Sequence, residues 1–492
     1  MARHDAARAS GPEWAGLPGE SNSSPYTEPA NDKGSDMISA YLNCFKIPEL
    51  KKRLLFTFGL IALCRIVSLI PCPGVDPTAL GELFKQLGGN RGTGGVFDML
   101  DLFSGGALEN FAIGALGIMP YISASIIMQL MTPVLPQLER MMREGETGRQ
   151  KYNQLMRYVT LVICIIQGTM FSLAMMSPER LNLPGNLAVV PNPGFFFILS
   201  TVITLTAGAM LIMWLGEMIT ERGIGNGASL IITVNIIARL PQAVLSLVTL
   251  VVGGAATGGS DINTIHLFLL LAMFLLVCAG AIMLTQGQRK IIVNYARRVA
   301  GVGGSSVPQK SYLPLRVNYS GVMPIIFAGA ILSFPVMVLR MLPNWPVIGW
   351  LAPLFQYGSW SYLIIYGGMI LLFSFFWVAN QFNPIKIADD LQKQGGYVPG
   401  VRPGQPTAEF LDKAMTRITL AGAIFLTALA VLPMILSNWM QIPGTIAQFF
   451  GGTSLLIIVG VSLDTMRQIE THLLARHYDG FMEKGKLRSR RG

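Results

Sequence analysis

The chain has 492 residues, of which 51% are hydrophobic and only 13% charged, and its mean hydropathy is +0.50. A soluble protein carries roughly 25% charged residues, so charges this sparse cannot cover a water-facing surface of this size. Apolar content this high also excludes disorder over most of the chain, which leaves lipid as the expected solvent.

Residues 1–36 are rich in Ser, Pro, Gly and Glu and lack an apolar core, which predicts a disordered tail rather than a cleavable signal. Residues 37–53 form an amphipathic lead-in that ends on Lys51, Lys52 and Arg53. Ten apolar stretches follow, each near the roughly 20 residues that a helix needs to cross the hydrocarbon core. They are 54–71, 111–135, 158–176, 194–215 and 224–252, then 264–285, 318–342, 360–382, 418–436 and 444–466. The runs are continuous rather than alternating, so the expected fold is an all-α polytopic membrane protein and not a barrel. A Gly-rich stretch at 253–263 divides the spans into a first five-helix half, 54–252, and a second, 264–466. Because each half holds an odd number of spans, the second enters the membrane inverted, and a pathway between the halves is expected. Residues 467–492 read as a basic tail.

The net charge of +10 is not spread evenly. Thirty-one of the 37 Lys and Arg residues lie before the first span, in alternate loops, or after the last span. The other six are Arg65, Lys85, Arg91, Arg180, Arg239 and Arg340. Lys and Arg favour the cytoplasmic side, so this split predicts ten spans with both termini in the cytoplasm. The basic face suits an acidic or nucleic-acid-bearing partner such as a ribosome, although the insertion bias alone accounts for much of it.

Several chemistries lack their residues. The five cysteines, Cys44, Cys64, Cys72, Cys164 and Cys278, are scattered with no CxxC, which excludes a disulfide framework. The four histidines form no HExxH, and no GxxxxGK[ST] occurs, so neither a metal site nor an ATPase loop is expected. The run Gly223-Ile224-Gly225-Asn226-Gly227 follows a membrane helix rather than a strand and reads as a tight turn at the head of the fifth span. Ionisable residues deep in spans, which coupled ion transporters use, are almost absent. No nucleophile with a base, nor paired aspartates, points to an intramembrane protease. The expectation is a channel, not an enzyme, with a small-solute transporter or a membrane scaffold as the competing classes.

Longer motifs narrow the field. They include Ser104-Gly-Gly-Ala-Leu108, Leu116 to Leu130 (LGIMPYISASIIMQL), Met213 to Gly227 (MWLGEMITERGIGNG) and Ile292-Val-Asn-Tyr-Ala296. Leu313-Pro-Leu-Arg-Val-Asn318, Val398-Pro-Gly-Val-Arg-Pro-Gly404 and Phe450 to Ile457 (FGGTSLLI) follow in order. From about residue 46 to 485 this pattern closely resembles the bacterial SecY family, the channel subunits of the protein-export translocon.

The resemblance implies a polypeptide channel of two pseudo-symmetric inverted halves around a central pore, in the bacterial inner membrane. It opens across the membrane for secreted chains and sideways for membrane segments. It implies a pore ring at Ile118, Ile122, Ile232, Ile326 and Ile457, with Ala228 as a smaller sixth member. It implies a plug running from Val96 through Phe97, Asp98, Met99, Leu100, Asp101 and Leu102 to Phe103, with Gly105 and Gly106 as its hinge. The lateral gate lies between the second and third spans and the seventh and eighth, with Gln129 and Asn318 at its polar positions. Arg402 falls on the arginine that engages the motor or ribosome, flanked in the preceding loop by Arg297, Arg298 and Lys310. That preceding loop departs from relatives with a basic tip, since its tip reads Gly301-Val-Gly-Gly-Ser-Ser306. The implied partners are SecE, SecG, the SecA ATPase, the ribosome, membrane lipid, and the translocating polypeptide with its signal sequence. No cofactor is implied.

Overall fold

A computed structural model describes residues 47–76, 79–81, 101–176, 189–257, 264–295, 310–341, 352–355, 359–440 and 453–484. The expected tail 1–36, plug residues 96–100, Arg297, Arg298 and the last eight residues lie outside the described set. Met1–Lys51 and Lys52–Gly492 separate as two units, and apart from the first turn of α1 everything below belongs to the second. Ten expected spans correspond to helices α1 Pro48–Val67, α2 Met119–Met131, α4 Glu146–Met176, α5 Phe195–Arg222, the pair α6 Gly227–Ala238 and α7 Leu240–Thr257, α8 Thr264–Gln286, α9 Met323–Met341, α10 Trp360–Gln381, α12 Gln405–Met440 and α13 Thr453–Lys484. Two short helices, α3 Pro136–Arg143 and α11 Pro384–Lys393, lie between spans.

Large apolar side chains such as Phe58, Phe195, Phe196, Phe268, Ile364 and Met283 are exposed on the outward helix faces, where lipid rather than water meets them. Lipid supplies no hydrophobic drive between helices, so close packing rests on small residues. A methyl on Gly227 would overlap the Gly216 carbonyl, and one on Gly208 would overlap the carbonyl of Ile113. These two glycines let α5 approach α6 and the stretch before α2 at backbone distance.

Two spans differ from the sequence expectation. The second was expected as helix over 111–135, yet α2 covers only Met119–Met131. Thirteen residues rise about 20 Å, less than the roughly 30 Å core. The chain from Asp101 to Ile118 makes up the difference with one helical turn and a series of tight turns, and Phe111 (φ 42°), Gly105, Gly106 and Gly117 all sit at positive φ. Backbone of this kind is tolerated at membrane depth only inside protein, and nearly all of these residues are buried. The fifth span was expected as one helix over 224–252 but breaks at Arg239, because Pro241 cannot donate the backbone hydrogen bond that would continue it.

Between α5 and α6, the turn that opens α6 is held by side chains. Asn226 caps α6 by accepting from the Ser229 amide at 3.3 Å, and Gly225, at φ 90°, donates its amide to Gln468 of α13 at 2.9 Å. The Ile224 amide donates to Thr57 of α1 at 3.2 Å. The first half is thus tied to the last span of the second.

The loop expected between the sixth and seventh spans folds as a hairpin, β1 Gln288–Tyr295 with β2 Lys310–Arg316. A short β3, Gly396–Tyr397, from the next loop on that side pairs with Asn294 and Tyr295, giving the order β2-β1-β3. Among the described residues the spans are helical apart from the buried turns before α2, and this sheet is an addition to them. A buried cluster that includes Ile291, Leu315, Val398, Leu411 and Met415 fixes the sheet to the start of α12.

Candidate functional site

The five expected ring residues come from four elements of both halves. Ile118 caps α2 and Ile122 lies one turn into it; Ile232 is on α6, Ile326 on α9 and Ile457 on α13. All five belong to one hydrophobic cluster, and none is more than 5% exposed. Ala228, one turn before Ile232, packs against the same cluster. The structure therefore places all five expected waist residues in one buried apolar core, which also holds Leu102, Phe103 and Tyr366.

A polar cavity of about 480 Å³ lies beside the waist. Ser229 of α6, Met323 of α9 and Val461 of α13 line it, each about one helical turn from the ring residue on its own helix. Asn318, Asp464 and Arg467 supply its polar wall, with Arg467 donating to the Thr285 carbonyl at 2.7 Å. On α6 the cavity lies on the Ser229 side of Ile232. On the other side, the Asn235 side chain donates to the Phe103 carbonyl at 2.9 Å. Along this one helix the order is cavity, apolar ring, then the segment carrying the end of the expected plug.

That segment, Asp101 to Glu109, is held by charged groups the sequence reading had not connected. Arg239, at the C-terminal cap of α6, pairs with Asp101 and, at 2.7 Å, with Glu109. Arg65 of α1 donates to the Gly105 carbonyl at 3.0 Å and to the Asn235 amide oxygen at 3.4 Å. Asp101 also accepts from the Glu109 amide at 2.8 Å, so both its oxygens are used. Gly105 and Gly106 sit at φ 70° and 91°, where a side chain on either would run into the Arg65 or Arg239 guanidinium. One signal pointed this way: Arg65 and Arg239 are among the few cations on the poorly charged side of the spans.

The gate positions are placed differently. The helices α2 and α9 pack against each other, but Gln129 and Asn318 make no hydrogen bond to one another. Gln129 donates to Ser125 of its own helix at 3.0 Å, and Asn318 donates to the Gly321 carbonyl at 2.8 Å while accepting from Ser320. The polar pair expected across the helices is replaced by local bonds, since each amide finds a partner within four residues. Arg402 is exposed on the loop between β3 and α12. Its carbonyl accepts from the Thr407 hydroxyl at 2.7 Å, and Gly400 and Gly404 turn the chain on either side. Lys310 opens β2 opposite Asn294.

The matches to known proteins agree with this geometry. The SecY family model matches residues 112–466. The protein translocase subunit SecY of Thermotoga maritima is 41% identical over 460 residues, covering 92% of this chain and 100% of that one. A solved protein-conducting channel superposes with a TM-score of 0.57 at 16% identity, over 88% of this chain and 97% of its own. The channel protein Sec61 in the canine ribosome-channel complex superposes with a TM-score of 0.53 at 15% identity, over the same shares. A helical membrane fold of ten spans, a family-model match across most of the chain and close relatives over their full length lead to one conclusion: the chain belongs to the SecY family of protein-conducting channels.

Proposed function

We propose that the chain conducts unfolded, signal-bearing polypeptides through the isoleucine waist and out of the cytoplasm, and releases sufficiently apolar segments sideways between α2 and α9. The observation that carries this reading is the order along α6: polar cavity, ring of isoleucines from both halves, then the Asp101–Gly106 segment. Flexible apolar side chains can close around a passing chain without reading its sequence, and they limit ion leakage when the constriction dewets. The Asp101–Gly106 segment, read as the end of the plug, supports a seal on the far side. A solute transporter would instead need charged ligands at the midplane, and the waist is made of isoleucines.

The choice between export and membrane insertion is then a partition of the substrate itself. Each Leu-like residue favours lipid by roughly 0.3–0.6 kcal/mol, while a central Asp, Lys or Arg costs roughly 2.5–3.5. One charge thus offsets several leucines. The Lys- and Arg-rich loops and both termini face the cytoplasm of a bacterial inner membrane, and the sheet carrying the Arg402 loop is the docking platform there. Sec61 in its ribosome-channel complex supports a ribosome as one partner; SecA is the ATP-driven alternative, with SecE and SecG as small membrane subunits.

The test is ATP-driven translocation of a signal-bearing precursor into vesicles containing this chain with SecE, SecG and SecA. Protected precursor inside the vesicles is expected. No transport by an assembled, folded complex would return the chain to the solute-transporter class.

A further inference from the structure

We propose that Arg467 and its neighbour Gln468 join the foot of the β2-β1-β3 sheet to the ring-bearing helices, as positioning residues through which a partner docked on the sheet drives transport. This deepens the function proposed above and rests on it for the docking platform.

On α13, Ile457, Val461, Asp464 and Gln468 stand at i, i+4, i+7 and i+11, so one face of the helix runs from the ring along the wall of the polar cavity. Arg467 lies ten residues, about 15 Å, beyond Ile457 and off that stripe. It reaches α8 instead and donates to the Thr285 carbonyl at 2.7 Å. Thr285 is in the last turn of α8, where the final carbonyls have no partner within the helix and the dipole favours a cation. Two residues later Gly287 accepts from the Val317 amide at 2.9 Å, which closes the foot of the β1–β2 hairpin. Arg467 therefore holds the foot of the hairpin from the helix that carries Ile457. Its approach to Asp464 is 4.0 Å between side chains 34% and 58% exposed, and contributes little beside that bond.

Gln468 works toward the first half. It accepts from the Gly225 amide at 2.9 Å, in the turn that opens α6 and leads to Ala228 and Ile232. The second strand of the hairpin leads through Val317 and Asn318 into α9, which carries Ile326. Elements bearing Ile232, Ile326 and Ile457 thus share one junction with the sheet. A buried cluster fixes the sheet to α12, so a load on the sheet is passed on as a rigid displacement rather than absorbed. Arg467 carries it to α13, and Gln468 carries it on to α6.

The experiment uses the chain assembled with SecE and SecG in vesicles. It reads the affinity of SecA for the vesicles and, separately, the maximal rate of ATP-driven precursor transport at saturating SecA. Arg467→Met and Gln468→Met are each expected to leave the affinity within about twofold of wild type and to lower the maximal rate roughly fivefold, the low end of a coupling between two sites. The double variant is expected to lose no more than either single change, because two links in series fail together. Arg467→Lys supplies the one donor that the Thr285 carbonyl needs, and is expected to stay within about twofold of wild type. If Arg467→Met does not assemble, the same two readings on Gln468→Met, which removes a single neutral hydrogen bond, decide. Wild-type rates in the assembled single variants, a loss of affinity that accounts for the lost rate, or losses that multiply in the double variant would overturn the junction and leave the channel standing. No SecA-dependent transport by the assembled wild type would remove the channel reading and the junction with it.

Discussion

Arg157 and Arg239 show how little a short ion-pair distance says until burial is known. Arg157 reaches Glu217 through three contacts of 2.6, 3.1 and 3.3 Å, yet its side chain is 45% exposed. Water screens such a pair, so Arg157→Ala should cost no more than about 1 kcal/mol in detergent unfolding of the purified chain. Arg239, much less exposed, is expected to matter far more to the closed state than its distances alone imply. Glycines carry the opposite kind of sensitivity. At Gly227 a single methyl would collide with the Gly216 carbonyl, a backbone atom that cannot rotate away. Gly227→Ala should therefore destabilise by about 1–3 kcal/mol and reduce the amount of chain held in the membrane, measured by thermal unfolding and membrane yield.

In the proposed function, the waist is the element on which channel behaviour turns. Its five isoleucines come from α2, α6, α9 and α13, so no single helix defines it. Replacing one with a polar side chain would wet the constriction without removing a helix. Ile326→Asn should raise resting ion conductance in reconstituted vesicles, while Ile326→Leu, which conserves volume, should cost under about 1.5 kcal/mol and leave the seal intact. Equal conductance in wild type and Ile326→Asn would show that the seal lies elsewhere. The short α2 contributes Ile118 and Ile122 to that core, and its crossing is completed by buried turns, which can rearrange where a continuous helix could not.

At the scale of the molecule, the membrane portion and the external sheet divide the work. The β2-β1-β3 sheet joins two loops that lie about a hundred residues apart, and the buried cluster beneath it anchors them to α12. Arg402 stands on this rigid base, exposed and free of any need for packing. Arg402→Glu should therefore leave stability within about 0.5 kcal/mol while abolishing ATP-driven transport. Transport unchanged in an assembled Arg402→Glu complex would keep the channel and remove this arginine as a required contact.

The ten spans and their grouping were legible because lipid imposes a length and an apolar character that each segment must satisfy locally. The motif pattern singles out five isoleucines, and all five lie in one buried apolar core. Other features depend on partners distant in the chain. Glu109 and Arg239 are 130 residues apart, and only the packing of α6 beside the hinge brings them together. The shortening of α2 and the pairing of β3 with β1 were decided the same way, whereas the break at Arg239 is local, set by Pro241. Gln129 and Asn318 show the converse, since nearby hydrogen-bond partners claimed amides that the motif alone assigned to each other. Sequence by itself determined which segments enter the membrane, because that is a transfer energy summed residue by residue. Only the tertiary structure decided which charges meet and where the backbone leaves the helix, because those depend on what each buried group finds beside it.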